Sequence, residues 1–455
     1  MRLSYFGIVS FLLLTFYYRG LYMKHIKHYY YVISLTVFSL LVGIFIISKL
    51  IPDSNAGQSV TNYNTNITTS CDDTDTNTAL PENDITEKVP ETPANIPPVD
   101  TTVTFLAAGD NLIHQNIIDY AKVLADENGS DTEYYFDPLY DNVRDIISSY
   151  DIAFVNQEGP IAGEELRGYT GYPTFNAPDE VGTALVNAGF DIVNIANNHM
   201  LDRGEKGYIN SINFWKNQPV TLIGGYESRE DFDTIRYIDC EGVKIALLSY
   251  TYGTNGIYLP QNSKMWVPYY FEEDFIDRHS KEARLNADIV IVVMHWGSEH
   301  SFSPNKTQKQ YCDLLVNNNV DVIIGIHPHV LQPIEWKMRP DGKKTLVAYS
   351  IGNFLSSMRF PKNMVGGLFT FDIDYSDRDN IIITNPGLIP TMCYYSRNKD
   401  IVGLYKFTDF PAGLYETHGS RLNEDVDFET VKSYITNTIA PEYLPVGFLQ
   451  EINNS

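Results

Sequence analysis

The stretch VDVIIGIHPHV at residues 320–330 places two histidines, His327 and His329, directly after an apolar run. The run from Val320 to Ile324 has the near-continuous apolar character of a buried strand. In an extended segment, side chains two positions apart face the same way, and two neutral imidazoles in one pocket commonly hold a transition metal. An isolated pair of this kind is more often found at the surface, so the other strand ends decide between the two interpretations.

The same design recurs along the chain from Thr101 onward. Helical patterns separate several apolar runs, as over residues 180–188 and 307–317. Buried strands alternating with helices predict a layered α/β domain. Two later runs, 345–350 and 367–373, have no helix between them, which predicts a mixed sheet or a two-sheet core. The further strand runs are 103–108, 151–155, 191–195, 243–248 and 288–293.

Polar side chains follow five of these strands where each strand ends. In open α/β sheets, ligands bind beyond the carboxyl ends of the strands. A single Asp there is usually a helix cap and a single Asn-Asn-His is usually turn chemistry, but five such ends in succession predict one convergent site. The polar strand-end residues are Asp110 and Asn111; Asn156, Gln157 and Glu158; Asn197, Asn198, His199 and Asp202; His295 and Glu299; His327 and His329.

This convergent set contains carboxylates, carboxamides and up to four histidines, but no thiolate. Such a mixture of nitrogen and oxygen donors suits Mn, Zn or Fe better than Ca or Mg. One ion needs fewer ligands than the set offers, so we expect one or two divalent ions. Two close ions can clamp a tetrahedral oxyanion and activate a water molecule. A histidine outside the ligand set could then act as general acid.

Six motifs in order along the chain resemble those of the CapA family of poly-γ-glutamate capsule biosynthesis proteins. That family is similar to calcineurin-like metallophosphoesterases. The resemblance covers roughly residues 101–395 and implies a four-layer α/β/β/α sandwich with the motif loops on one face. The motifs are GD at 109–110, NxE at 156–158, ANNHxxDxG at 196–204, HWGxE at 295–299, GxHPHVxQ at 325–332 and YSIGNF at 349–354.

The resemblance implies the metal ligands residue by residue. In the phosphoesterase signature, a histidine stands two positions after the first aspartate, whereas this chain has Leu112 there and His114 two residues later. This departure predicts that one of two metal positions is weak, altered or absent. The implied ligands are Asp110, Asn198, His295, His327 and His329, with Glu158 in the place of a bridging acid.

Five further residues complete the predicted site. The resemblance implies that His199, which follows the ligand asparagine, is the general acid. Asp202 and Glu299 either orient histidines of the site or cap helices, since ligating imidazoles usually donate their second N–H to a carboxylate. Asn353 braces a loop or contacts the site, and Trp296 packs beneath the site or stacks on substrate.

The first hundred residues predict a membrane anchor. Residues 29–51 form an apolar segment long enough to cross a bilayer, with Lys24 and Lys27 before it and no acid before Asp53. The positive-inside rule then places the N-terminus in the cytoplasm and the rest outside. Without a cleavage site or a lipid-attachment cysteine after the run, a retained single-pass signal-anchor is expected.

The predicted organisation of the chain has five segments. Residues 1–28 are either a cytoplasmic N-terminus or a mis-assigned start, with Met23 as the alternative first residue. Residues 52–100 are rich in Asn, Thr, Asp and Pro, which predicts a disordered linker. The five segments are 1–28, the transmembrane segment 29–51, the linker 52–100, the metallophosphoesterase-like domain 101–395 and a C-terminal extension 396–455.

The net charge of −24 argues against nucleic acid as a partner. We therefore expect a membrane-anchored, extracellular CapA-type protein in the synthesis, export or attachment of poly-γ-glutamate or another anionic envelope polymer. Its hydrolase-like metal site would cleave a phosphoester or an amide, and its partners would be the polymer and membrane-bound synthetase subunits. The alternatives are a surface metallophosphoesterase without a capsule role and a non-catalytic polymer-binding subunit of a synthetase.

Overall fold

Two sheets form the centre of the domain, and their strands arise where the sequence has apolar runs. The computed structural model describes residues 101–454. In that range the strands are β1 Thr102–Leu112, β2 Ile152–Glu158, β3 Ile192–Asn194, β4 Thr221–Ile223, β5 Arg236–Cys240, β6 Val243–Thr251, β7 Ile289–His295, β8 Val322–Ile326, β9 Ile334–Met338, β10 Lys344–Ala348, β11 Asn353–Leu355, β12 Val365–Asp374, β13 Ile382–Tyr395 and β14 Val402–Lys406.

Helices connect many of the strands. In the same range the α-helices are α1 Gln115–Asn128, α2 Asp141–Ile147, α3 Asp179–Asn187, α4 Gly204–Lys216, α5 Arg229–Asp233, α6 Glu273–Asn286, α7 Lys306–Asn317, α8 Gly413–Thr417, α9 Phe428–Thr436 and α10 Phe448–Asn454. None of them is both long enough and apolar enough to cross a membrane. The predicted transmembrane segment 29–51 and the linker 52–100 lie outside the described residues.

The two sheets are both mixed. The first has the order β14-β13-β12-β1-β2-β3-β4, with β11 beside β1. Strands β1 to β4 are parallel, whereas β12, β13 and β14 run antiparallel to their neighbours. The second has the order β5-β6-β7-β8-β10-β9, in which only the edge strands β5 and β9 are antiparallel. The predicted mixed α/β fold is confirmed.

Side-chain alternation along the strands builds the layers. Phe105 and Ile152 of the first sheet pack with Ile245 and Ile291 of the second in a core between the sheets. The intervening side chains face α1 to α4 on the first sheet and α5 to α7 on the second. Each buried aliphatic or aromatic side chain contributes about 1.5–3 kcal/mol. The layers therefore run helix, sheet, sheet, helix.

Helix α7 shows how local sequence sets an element boundary. The Asn305 side chain accepts from the Gln308 backbone N–H at 2.9 Å, and the Gln308 side chain accepts from the Asn305 backbone N–H at 2.9 Å. This capping box satisfies two backbone donors that the first helical turn leaves free. The capping box thus begins the helix at Lys306, directly after the loop that follows His295 at the end of β7.

The C-terminal segment is part of the same core. Strand β14 pairs with β13 at the edge of the first sheet. Val431 and Ile435 of α9 and Phe448 of α10 are buried in the core between the sheets. The residues from 396 onward, predicted to be a C-terminal extension, therefore extend a sheet and contribute apolar packing to the domain.

Candidate metal centre

Asp110 lies fully buried at the end of β1, held by two hydrogen bonds. Its Oδ1 accepts from the Asn156 side chain at 2.8 Å, and its Oδ2 accepts from the His327 backbone N–H at 3.1 Å. Glycine at 109 lets β1 approach the chain beside it, because an added Cβ would stand 1.9 Å from the Gly352 carbonyl oxygen. The backbone thus fixes the direction of the Asp110 carboxylate before any ligand binds.

The HPH loop leaves the strand direction at once. Strand β8 ends at Ile326, and both histidines adopt left-handed backbone conformations, with φ 97° at His327 and 56° at His329. The expectation of an extended segment is therefore wrong here. The bond from the His327 N–H to Asp110 and one from the Asn363 side chain to the His329 carbonyl, at 2.9 Å, hold this conformation. The ring centroids still lie only 5.6 Å apart.

Ligand atoms from six of the predicted residues gather into three overlapping groups, of which one consists of Glu299, His327 and His329 and the other two share Glu158. The Asp110 group consists of Asp110, Glu158 and His329, and the His295 group consists of Glu158, His295 and His327. Within each group, one ligand atom per residue lies within 4.8 Å of the others. Glu158 belongs to both the Asp110 group and the His295 group. The sixth predicted ligand, Asn198, places its Oδ1 3.0 Å from His295 Nε2.

Glu158 has a buried carboxylate whose Oε1 lies 3.8 Å from His329 Nε2 and 3.9 Å from His295 Nε2. It is 1% exposed, and neither carboxylate oxygen has a hydrogen-bond partner among the described residues. Burial, with the nearby Asp110 carboxylate, raises the pKa of Glu158 well above its usual value. A buried carboxylate without a hydrogen bond is costly, and a bound cation between the two groups would lower that cost. The donor set and this buried acid fit a divalent metal.

The histidines differ in protonation. Burial, aided by the neighbouring imidazoles, lowers the pKa of His295 and His327 well below the usual value, so both rings are neutral donors. For His329, burial opposes protonation, but the Glu158 and Asp110 carboxylates prevail and raise its pKa to about 10. His329 Nδ1 lies 3.2 Å from Asp110 Oδ2.

His199 lies beside the centre as one end of a hydrogen-bonded pair. Its Nδ1 donates to Asp202 Oδ2 at 2.7 Å, and the same oxygen accepts from the Phe175 backbone N–H at 2.7 Å. The Phe175 ring packs edge-on against the imidazole, with the ring centroids 4.7 Å apart. Asp202 thus orients a histidine, and the pairing leaves His199 Nε2 as the nitrogen that can transfer a proton.

The region that carries these residues matches a known protein family. Residues 104–358, more than half of the chain, match the family described as Bacterial capsule synthesis protein PGA_cap. The chain belongs to this family. The match includes all six candidate ligands and the His199–Asp202 pair.

Two curated PGA_cap relatives agree with this assignment. The chain is 29% identical over 254 residues to "Capsule biosynthesis protein CapA" of Bacillus anthracis, covering 54% of this chain and 59% of that protein. It is 30% identical over 246 residues to "PGA biosynthesis protein CapA" of Bacillus subtilis, covering 52% and 60%. The matches thus span about three fifths of each relative.

Among solved structures, the NAD nucleotidase of Haemophilus influenzae aligns with 12% sequence identity. The alignment covers 63% of this chain and 55% of that one, with a TM-score of 0.38. A likeness of this size supports no conclusion about the activity of the PGA_cap chain.

The structure gives the remaining predicted residues different places around the PGA_cap centre. Asn353 accepts from His329 Nδ1 at 2.9 Å, so it orients that ring. The Glu299 side chain is 47% exposed, with its carboxylate 3.6 Å from His300 Nε2, and it also lies near His327 and His329. Trp296, grouped with the substrate-contacting candidates, is fully buried and donates to the Tyr349 carbonyl at 2.9 Å. Trp296 therefore packs beneath the site.

Several residues outside the predicted ligand set support the centre. Asn156 holds Asp110, and Asn194 in turn donates to Asn156 Oδ1 at 2.7 Å. The Tyr252 ring packs against His327, with centroids 4.6 Å apart. Asn156 was among the predicted strand-end residues, and Asn194 occupies the corresponding position at the end of β3, which could have identified it. Asn363, which holds the His329 carbonyl, lies in a short turn with no recognisable motif.

Proposed function

We propose that this chain is a membrane-anchored, extracellular protein of capsule or envelope-polymer assembly whose metal centre hydrolyses a bond in an anionic polymer. The scissile bond is a phosphoester or an amide, and poly-γ-glutamate is the leading polymer. Support comes from membership of the PGA_cap family, from the names of the two relatives and from the two ligand groups that share Glu158. The apolar segment 29–51 would serve as the anchor and place the domain outside the cell.

The observation that carries the catalytic part is the carboxylate of Glu158, which belongs to both groups and accepts no hydrogen bond from residues 101–454. A single buried acid between two donor groups is the arrangement that two adjacent cations require, because it offsets charge on both sides. When bound, one or two ions of Mn, Zn or Fe would act as Lewis acids and lower the pKa of water.

The chain's own residues would supply binding and proton transfer. Asp110 and His329 would hold one ion, and His295 and His327 the other, with the Asn198 carboxamide beside His295. Asp202 accepts the Nδ1 proton of His199 and fixes the orientation of the ring, so Nε2 would be the nitrogen that gives a proton to the leaving group. Phe175 covers one edge of that imidazole and limits its access to water.

The proposed partners are the anionic polymer and membrane-bound synthetase subunits. A chain with a net charge of −24 repels a polyanion over most of its surface, so the metal centre would be the place where such a polymer is held. Membrane-bound synthetase subunits would deliver the growing polymer to this domain.

The test uses the full chain purified in detergent and loaded in Mn or Zn medium. Bound metal is measured by elemental analysis, and turnover with a phosphodiester and with γ-linked polyglutamate. His199→Ala is expected to lower kcat by about 10²–10⁴ at unchanged metal content, and Asp202→Asn to act in the same direction. Absence of bound metal in both media would overturn the metal centre. Metal without turnover would contradict hydrolysis and support a polymer-binding role.

A further inference from the structure

The turn of residues 252–257, here called the β6 turn because it follows β6, is fixed at the edge of the metal centre. The Tyr252 backbone N–H donates to the His295 carbonyl at 3.0 Å, which ties the start of the turn to the end of β7. Within the turn, the Ile257 backbone N–H donates to the Thr254 carbonyl at 2.9 Å, and the Thr254 hydroxyl donates to the Ile257 carbonyl. The turn therefore has a defined position relative to the candidate ligands.

Asn255 lies at the tip of the β6 turn and contacts a candidate ligand. It is exposed, and its backbone is left-handed with φ 50°. Its Oδ1 accepts from the Asn198 side chain at 3.3 Å and from the Tyr252 hydroxyl at 3.5 Å. Two donors on one oxygen set the plane of the Asn255 carboxamide and leave its Nδ2 on the other side.

The Nδ2 of Asn255 points toward the proposed proton donor. It lies 3.5 Å from His199 Nδ1. That ring nitrogen carries the proton that it donates to Asp202 at 2.7 Å, so it cannot accept a hydrogen bond from Asn255. Among residues 101–454, Nδ2 has no other acceptor. The N–H groups of this amide are therefore available to an oxygen atom of a ligand.

The proposed reaction requires a substrate at this place. The scissile group must contact an ion, and the leaving group must contact the proton donor, so the reacting atoms lie between the two. Asn255 contacts Asn198 on the side of the ions and His199 on the side of the proton donor. An exposed amide with free N–H groups therefore stands beside the position that the scissile group would occupy.

We infer that Asn255 is a substrate-binding residue whose Nδ2 donates to an oxygen of a tetrahedral oxyanion at the scissile group. The inference rests on the proposed function for the roles of Asn198 and His199. A tetrahedral oxyanion has more than one terminal oxygen, so one can bind an ion while another accepts from the amide. Phosphoester hydrolysis provides such a group in the substrate itself, and amide hydrolysis provides it in the tetrahedral intermediate.

Calorimetric titration of inorganic phosphate, a stable tetrahedral oxyanion, into the full chain in detergent with Mn present tests this contact. Asn255→Gly removes the carboxamide without backbone strain, because glycine readily adopts the left-handed conformation, and should weaken phosphate binding about tenfold. Asn255→Asp keeps an acceptor for Asn198 but replaces the donor with a negative charge. It should weaken phosphate binding by about tenfold or more while Mn affinity stays at or above that of the wild type. Asn262→Asp, with the same change of charge at an exposed position of the same loop, should bind phosphate like the wild type.

The outcomes separate this contact from the hydrolase proposal. Equal phosphate affinity of Asn255→Gly and wild type, an equal loss in Asn262→Asp, or no phosphate binding by the wild type would overturn the contact. A parallel loss of Mn and phosphate in Asn255→Asp would also overturn it and would limit Asn255 to orienting Asn198. A protein that binds phosphate through Asn255 but hydrolyses neither substrate would contradict hydrolysis and leave the contact standing.

Discussion

The two ligand groups share Glu158 but differ in the charge of the residues that surround it. On one side, Asp110 and Glu158 flank His329, and the carboxylates raise its pKa to about 10. His329 is therefore protonated when no metal ion is bound. On the other side, His295 and His327 are neutral because burial lowers their pKa. The Asp110 group is thus poised to exchange a proton for an ion, whereas the His295 group offers free lone pairs. The aliphatic Leu112 adds no donor to the first group, which supports unequal affinities for two ions.

The largest expected effect is that of Glu158→Gln, which removes the acid that both groups share. Metal affinity should fall by roughly 100-fold or more at both positions, and turnover should fall with it. The metal-free protein loses both an attraction to the protonated His329 and a repulsion from Asp110, so its stability should change little. Elemental analysis and thermal unfolding without metal check this, with the exposed Glu442→Gln as control. Two ions retained at normal affinity would contradict the shared-ligand arrangement.

Removing one histidine from each side should separate the two positions. His327→Ala should weaken the ion of the His295 group and His329→Ala that of the Asp110 group, each by roughly 10–100-fold. Titration of each variant with Mn, followed by bound-metal analysis, should show one strong ion where the wild type shows two. If both substitutions removed the same ion, the division into two groups would be wrong.

A smaller effect is expected from Asn353→Ala, since Asn353 orients His329 without belonging to either group. Its loss frees the Nδ1 side of that ring and should weaken the Asp110-group ion by about tenfold, leaving the His295-group ion unchanged. Competition with a fluorescent chelator measures both affinities. Asn385→Ala, in an exposed position away from the centre, serves as the matched control, and an equal change there would assign the effect to general destabilisation.

The smallest expected effect is a change of metal affinity with pH. Because the pKa of His329 is raised, an ion must displace its proton, so affinity at the Asp110 group should rise with pH, at most tenfold per unit, up to about pH 10. His295 and His327 have lowered pKa values, so their rings stay neutral above about pH 6.5 and add no such dependence. Calorimetry in buffers of different ionisation enthalpy should detect more proton release in His327→Ala than in His329→Ala. Equal release would remove the distinction.

The strand ends were predictable from sequence because the carboxyl ends of parallel strands meet at one edge of a sheet. That rule identified Asp110, Glu158, His295 and the HPH histidines, which the structure brings together. The burial of Trp296 also follows from alternation, since it succeeds His295 and faces the opposite side.

Other features depend on contacts that no local pattern encodes. The left-handed backbone of the HPH loop depends on Asp110 and on Asn363, which are distant in sequence from it. The pairing of Arg203 with Thr170 likewise joins two loops. The residues after 395 could be assigned to the core only from the pairing of β14 with β13. That segment is polar and has few periodic apolar residues, so its sequence alone does not predict this packing.

The position of β1 in its sheet bears on which metal the protein acquires. β1 carries Asp110 and pairs with β2, β11 and β12, and the pairing with β12 joins Thr102 to Asp374. All six candidate ligands precede residue 330 in the sequence. β1, which carries Asp110, can complete its pairing with β12 only after residue 374 has been synthesised. Pairing across such a separation closes late in folding. The ions would therefore enter a nearly finished domain, and the metals available where folding ends, rather than where synthesis begins, would decide the occupant of the site.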